Sequence, residues 1–385
     1  MTGGRIVCRG GPIFDGTRLL HGRAAIFENG RLAAITDADA AGRAARAGRV
    51  HDLGGAILAP GYVDLQVNGG GGVMFNDDPS PAVLERIAAA HRGMGTLNLL
   101  PTLISDSPDK TRAAIEAVAR ATADGLPGIA GLHLEGPHLA PARRGAHDPR
   151  WLRPMAAADL DLLCGAARRL PALMVTLAPE AATPAQVRAL AAAGVLVSLG
   201  HSDADFATCL AHAEAGARAV THLFNAMSQL SARAPGLVGA ALDCGALSAG
   251  LIADGIHVHP AALRAAWAAK RGPGRIFLVS DAMAVAGTAA RAFDLGGRRI
   301  ERRDGRLTLA DGTLAGADLE LTRAVRVMVD RAGLDLAAAL AAATRVPAAL
   351  IGREAALAPG TGCDALIRID LQAGTARPFD PSREG

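Results

Sequence analysis

The chain has 385 residues, half of them hydrophobic, and carries 40 basic against 37 acidic residues for a formal net charge of +3. This length builds one large domain with a smaller companion. The near-balance of charge, the lack of basic runs interleaved with aromatics and an aromatic content of 3% argue against a nucleic-acid partner. No stretch reaches membrane-spanning length without a charge or a proline, and the start, Met1-Thr2-Gly3-Gly4-Arg5, lacks the apolar core of a signal peptide. Five scattered cysteines (Cys8, Cys164, Cys209, Cys244, Cys363) with no C-x-x-C pair suggest reduced thiols and a cytoplasmic protein, without a disulfide framework.

In chain order, residues 5–53 contain short strand-like pieces, Arg5–Cys8 and Arg23–Ile26, with turn signals at Gly10-Gly11-Pro12 and Asn29-Gly30. Eight apolar strand-like runs follow, at 57–65, 96–102, 129–134, 173–178, 195–199, 218–222, 248–253 and 275–280. Alanine-rich helical stretches separate most of them. Ser80-Pro81, Thr183-Pro184 and His259-Pro260 each open a helix with proline at its first position. Strands alternating with helices imply a parallel sheet, and eight such repeats fit a closed (β/α)8 TIM-type barrel. The stretch 290–315 is turn-rich and β-like, an insertion after the eighth strand, and helices are expected over 318–332 and 335–343. Residues 362–370 read as one more strand. The expected α/β architecture is therefore a barrel over 56–350 with a small β-sandwich domain formed by the N-terminal segment 1–55 and the C-terminal segment 351–385.

Four polar residues stand at the ends of the barrel runs: Glu135 in G-L-H-L-E-G-P, His201 in V-S-L-G-H-S, His222 in V-T-H-L-F-N-A-M and Asp281 in F-L-V-S-D-A. In a barrel all strand C-termini open on one face, so residues far apart in sequence converge there. A carboxylate and two imidazoles make a site for a divalent ion, and a further carboxylate can handle the proton of a hydrolysis. Other residues are ambiguous on sequence alone. Gly69–Gly72 could cradle a phosphate or form a loop. His133 shares a face with Glu135 by period-two alternation and fits either a supporting role or barrel packing. His138 and His259 read as solvated loop residues, and Arg143-Arg144 as an anion lure or a solvated pair.

The motifs A-P-G-Y-V-D-L-Q-V-N-G (59–69), H-L-E-G-P-H (133–138), R-R-G-A-H-D (143–148), L-A-P-E (177–180), G-H-S (200–202), T-H-L-F-N-A-M (221–227), A-P-G-L-V-G (234–239), A-D-G-I-H-V (253–258) and V-S-D-A (279–282) occur in this order. In them the chain resembles the amidohydrolase superfamily and, within it, the N-acetylglucosamine-6-phosphate deacetylases, over nearly its whole length. The resemblance implies hydrolysis of the N-acetyl group of an amino sugar phosphate. It implies Glu135, His201 and His222 as metal ligands, Asp281 as general base and acid, and His147 as a catalytic contact to the substrate amide. It further implies substrate contacts from Asn225, Ala226, His257 and Arg233, the last reaching the phosphate across a homodimer. Where many amidohydrolases carry H-x-H and a second metal, this chain reads Gln66-Val67-Asn68. Amides are weak zinc ligands beside neutral imidazole, so one divalent ion per chain is expected, zinc before iron, cobalt or manganese. Alternatives are the galacto epimer as substrate, another amidohydrolase activity such as N-acyl-amino-acid deacylation, or a catalytically silent sugar-phosphate-binding protein.

Overall fold

The structure, a computed structural model, describes residues 4–39 and 48–381. Residues 1–3, 40–47 and 382–385, and with them part of the start read above as free of a signal peptide, lie outside the described residues. Eight parallel strands form the barrel: β1 (Tyr62–Val67), β2 (Thr96–Ile104), β3 (Leu132–Glu135), β4 (Leu173–Leu177), β5 (Leu196–Leu199), β6 (Ala219–Val220), β7 (Ser248–Leu251) and β8 (Ile276–Leu278). They neighbour one another in sequence order, as short βα crossovers require. Between β8 and β1 the ring closes just past the strand ends, through a parallel bridge from Val67 to Ala282 and the bonds Asp281 N–H to Gln66 O (3.0 Å) and Asn68 N–H to Ala282 O (2.9 Å). β1 and β3 are buried along their entire length, the pattern of strands covered on both faces.

The helices begin where their caps stand. Ser80 Oγ accepts from Val83 N–H at the start of Pro81–Gly93, and Thr183 with Gln186 forms a capping box on Pro184–Ala192. In the first of these helices Val83, Leu84, Ile87, Ala88 and His91 are buried, a 3–4 spacing that lays one stripe on the barrel.

The terminal segments meet. One sheet holds Arg5–Arg9, Arg23–Glu28, Arg31–Asp37 and Arg49–Asp52; a second joins Ile13–Phe14, Leu19–Leu20 and Ile57–Pro60 to Leu366–Asp370 and Thr375–Pro378. Their shared core includes Cys8, Phe27, Leu53, Leu58, Leu366 and Phe379. The run expected as one barrel strand over 57–65 is thus two strands. Ile57–Pro60 pairs antiparallel with Leu366–Asp370, and only from Tyr62 onward does the chain join the barrel. An unbroken apolar stretch hides such a handover, because both halves are buried. The insertion after β8 is a four-stranded sheet, Ala292–Leu295, Arg298–Arg303, Arg306–Thr308 and Leu314–Ala317. None of the five cysteines is in a disulfide, and no helix among the described residues is long and apolar enough to cross a membrane.

Candidate active site

At the C-terminal ends of the barrel strands lies a cavity of about 390 Å³ lined by Asn68, Glu135, Arg143, His147, His201, His222, Asn225, Ala226, His257 and Asp281, together with Ile104, Ala142, Gly145, Ala146, Met283, Thr313, Leu314 and Gly316. Eight of the nine sequence-assigned site residues therefore converge. Arg233 does not; it is exposed on the loop after β6, outside this cavity. Thr313, Leu314 and Gly316 belong to the insertion, whose part in the site no motif announced.

Glu135 ends β3 and presents Oε1 to two imidazoles. His222 Nε2 lies 3.1 Å and His201 Nε2 3.4 Å from that oxygen, and the two nitrogens are 3.0 Å apart. Three donor atoms on a tetrahedral ion with bonds of about 2.0–2.1 Å stand roughly 3.3 Å apart, so this set fits a divalent ion. The backbone carbonyl of Arg143 accepts from His201 Nδ1 at 2.8 Å, which leaves the Nε2 lone pair pointing inward. Burial works against the Glu135 carboxylate, but the three imidazoles of His147, His201 and His222 grouped around it outweigh burial and hold its pKa well below the ordinary value.

Glu135, His147 and His201 also group closely enough to suggest a different ligand triad, with their donor atoms within 4.8 Å of one another. The hydrogen bonds of His147 argue against it as the third ligand. Its Nδ1 accepts from the backbone N–H of Ser105 at 3.2 Å, beside the Ser105 hydroxyl at 2.8 Å. A backbone amide can only donate, so Nδ1 carries the lone pair and Nε2 the proton. That proton faces the cavity, 3.7 Å from Glu135 Oε2. Burial, and then the neighbouring His201, push the His147 pKa down to about 4, so it stays a neutral N–H donor at physiological pH. Ser105, which sets this tautomer, carried no signal in the sequence beyond its place after β2.

Asp281 follows β8 and is clamped on three sides. Its Oδ1 accepts from Asn68 Nδ2 at 2.7 Å, its N–H donates to Gln66 O at 3.0 Å, and its carbonyl accepts from Ala317 N–H of the insertion at 2.9 Å. Burial, and then the negative charge of Glu135, raise its pKa to about 6, near the range that suits a general base. His201, His222 and Asp281 adopt φ of +48°, +30° and +50°, as do Phe224 (+78°) and Ala226 (+49°) in the turn after β6. Left-handed backbone costs energy for residues with a Cβ and clusters at functional sites.

His257 donates from Nδ1 to Asp254 Oδ2 at 2.6 Å, and Asp254 also accepts from the N–H groups of Ile256 and His257. Burial opposes ionisation of Asp254, but the His257 hydrogen bond prevails and its pKa is lowered. Asp254 stands inside the A-D-G-I-H-V motif, three residues before His257, but the sequence reading did not single it out. Asn225 Nδ2 donates to the carbonyls of His222 and Leu223, bracing the turn.

Three ambiguous readings are resolved. Gly69–Gly72 is not a phosphate cradle: Gly69, Gly71 and Gly72 spend their N–H groups on the carbonyls of Ala282, Ala286 and Ala284. His138 is buried rather than solvated and bonds to the Arg153 carbonyl at 3.1 Å, away from this cavity. His133 is fully buried between Thr102 and Thr176, with Thr176 bonded onward to Thr221, a polar seam beneath the site. Of the remaining pair, His259 is exposed and caps the helix Pro260–Ala269, while Arg143 pairs with Asp203.

Barrel and donor cluster together define a metal-dependent hydrolase. Residues 57–368 match the amidohydrolase family model, and the chain belongs to that family. It is 44% identical to the N-acetylgalactosamine-6-phosphate deacetylase of Shewanella sp. (strain ANA-3), over 77% of this chain and 74% of that protein. It is 38% identical to the N-acetylglucosamine-6-phosphate deacetylase of Bos taurus, over 79% of this chain and 76% of that protein. A mutant N-acetyl-D-glucosamine-6-phosphate deacetylase from Mycobacterium smegmatis, solved with N-acetyl-D-glucosamine-6-phosphate bound, superposes with a TM-score of 0.87 at 30% identity, covering 99% of each chain.

Proposed function

We propose that this chain hydrolyses the N-acetyl group of N-acetylglucosamine 6-phosphate, giving acetate and glucosamine 6-phosphate. The observation that carries the reading is the convergence, in one cavity, of the Glu135–His201–His222 donor set, the His147 N–H and Asp281. The names of the relatives supply the substrate class.

Glu135, His201 and His222 would hold one divalent ion, zinc first, with iron, cobalt or manganese as alternatives. When bound, the ion polarises the amide carbonyl and eases deprotonation of water. The protein's own groups do the rest. Asp281 takes the proton of the attacking water as general base. His147 donates Nε2–H to the oxygen on which negative charge develops, and being neutral and prealigned it needs no reorganisation to do so. Asp281 then returns the proton to the amide nitrogen, which leaves as an amine. Asn225, Ala226 and His257 contact the sugar phosphate, whose charge supplies binding energy away from the reacting centre.

Arg233 reads as a phosphate contact contributed to a neighbouring subunit's cavity. It is exposed and outside its own cavity, and Leu230, three residues before it, is 56% exposed, a combination suited to a homodimer interface. Mixing Arg233→Ala with Asp281→Asn subunits should restore substantial activity in heterodimers, because one of the two sites then carries neither defect. A mixture with proven subunit exchange that stays inactive would place Arg233 within its own site. We read the protein as cytoplasmic, and its N- and C-terminal segments as one small β domain beside the barrel, with the N-terminal handover at Gly61 and not at the expected residue 56.

A second reading, the galacto epimer, is favoured by the 44% identity to the Shewanella relative. Acetate release measured side by side on N-acetylglucosamine, its 6-phosphate and N-acetylgalactosamine 6-phosphate tests both. The gluco phosphate should turn over fastest. A dominant galacto rate selects the second reading, and no acetate from either phosphate refutes both.

A further inference from the structure

Asn68 is wholly buried after β1, and its side chain lines the catalytic cavity. Its backbone groups are both used: the N–H donates to Ala282 O and the carbonyl accepts from Phe75 N–H, each at 2.9 Å. Its side-chain Nδ2 donates to Asp281 Oδ1 at 2.7 Å. The remaining atom, Oδ1, has no hydrogen-bond partner among the described residues despite its burial. Turning the amide round offers no escape. An ionised Asp281 only accepts, so Nδ2 must face it and Oδ1 must face away. No protein group donates to this buried acceptor, so a donor brought by the substrate would be favoured there.

We propose that Asn68 is a catalytic residue that accepts the N–H of the scissile acetamido group through Oδ1 while holding Asp281 through Nδ2. The inference rests on the deacetylase reading above. The nitrogen that receives the proton from Asp281 must come within hydrogen-bond reach of that carboxylate. The opposite end of the Asn68 amide is the idle acceptor beside the same carboxylate. In the tetrahedral intermediate the water oxygen is bonded to the acetyl carbon, and the nitrogen, no longer conjugated, carries one hydrogen and a free lone pair. An acceptor engaging that hydrogen turns the lone pair toward Asp281. Proton transfer from Asp281 to the lone pair accompanies cleavage of the C–N bond, whose electrons leave with the amine as the acetyl carbonyl re-forms.

The test separates direct contact from action through Asp281. Zinc-loaded Asp281→Asn protein, which keeps a side-chain oxygen for Asn68 Nδ2 and turns over too slowly to disturb the measurement, is titrated calorimetrically with N-acetylglucosamine 6-phosphate and with 2-deoxyglucose 6-phosphate, which lacks the nitrogen. Adding Asn68→Ala should weaken the acetamido sugar roughly 3- to 10-fold and leave the deoxy sugar within about twofold. The deoxy sugar thereby reports that the site is intact; if Asn68→Ala loses it altogether, the milder Asn68→Ser is read by the same comparison. Equal weakening of both sugars, or no change in either, overturns the proposal, because Asn68 would then act only on the fold or only through Asp281. Failure of the deacetylase reading shows separately, as no acetate release from the unsubstituted protein.

Discussion

Around the barrel mouth, the side built by β3, β5 and β6 and the side built by β1 are equally buried and chemically unlike. Glu135, His201 and His222 are 3%, 4% and 5% exposed; Gln66 and Asn68 are 1% and 0%. On the first side, the Arg143 carbonyl accepts a hydrogen bond from His201 Nδ1–H, so that the His201 Nε2 lone pair points inward. On the second, the amides direct their N–H groups at carboxylates, Gln66 Nε2 to Glu135 Oε1 at 3.1 Å and Asn68 Nδ2 to Asp281 Oδ1 at 2.7 Å. Burial alone therefore does not make a metal centre. What suits a metal is a set of converging donor atoms, with the His201 tautomer fixed by the Arg143 carbonyl, whereas the amide side steers the carboxylates.

The sharpest way to break this contrast is inside the imidazole side itself. His201→Ala should lose the ion and turnover together. His147→Ala should keep the ion yet lose about 10²–10³-fold in kcat, the loss expected for a single oxyanion donor. Metal analysis beside kinetics decides, and loss of the ion in His147→Ala would return His147 to the ligand set. Next in size is a conversion of the amide side. Gln66→His combined with Asn68→His should raise the metal content from one equivalent per chain toward two. Two tightly held equivalents in the unsubstituted protein would erase the contrast. The smallest effect concerns pH. Asp281 must be ionised to act as a base, so kcat/KM should be present above its pKa and fall as the pH drops through about 6. An ion beside Glu135 favours the carboxylate and moves this limb lower. Asn68→Ala removes a hydrogen bond to the ionised form and should move it higher; a limb that stays put would detach Asn68 from Asp281.

Much of this was legible in the sequence because barrel chemistry sits at strand ends. Once β3, β5, β6 and the turn after β8 are placed, Glu135, His201, His222 and Asp281 have to face one another. Their environment was less legible. The tautomer of His147 depends on Ser105, 42 residues earlier in the chain, and the hold on the Asp281 carbonyl comes from Ala317 in the insertion. Such partners are backbone groups or small hydroxyls, which leave no pattern. The handover at Gly61 was hidden because Ile57–Pro60 and Tyr62–Val67 are equally buried. The left-handed backbone at His201, His222 and Asp281 was not legible: His and Asp adopt it more readily than most residues with a Cβ, yet still in a small minority of positions.

The central claim is that Asp281 moves the proton while a separate set of side chains holds the ion. The most direct measurement is acetate release from N-acetylglucosamine 6-phosphate by the unsubstituted protein and by Asp281→Asn, with metal content determined on the same samples. Asparagine keeps the shape of the side chain and cannot take a proton. The account predicts one equivalent of metal in both proteins and a kcat lower by about 10²–10⁴-fold in the variant. Near-normal turnover by Asp281→Asn with its metal retained would contradict it.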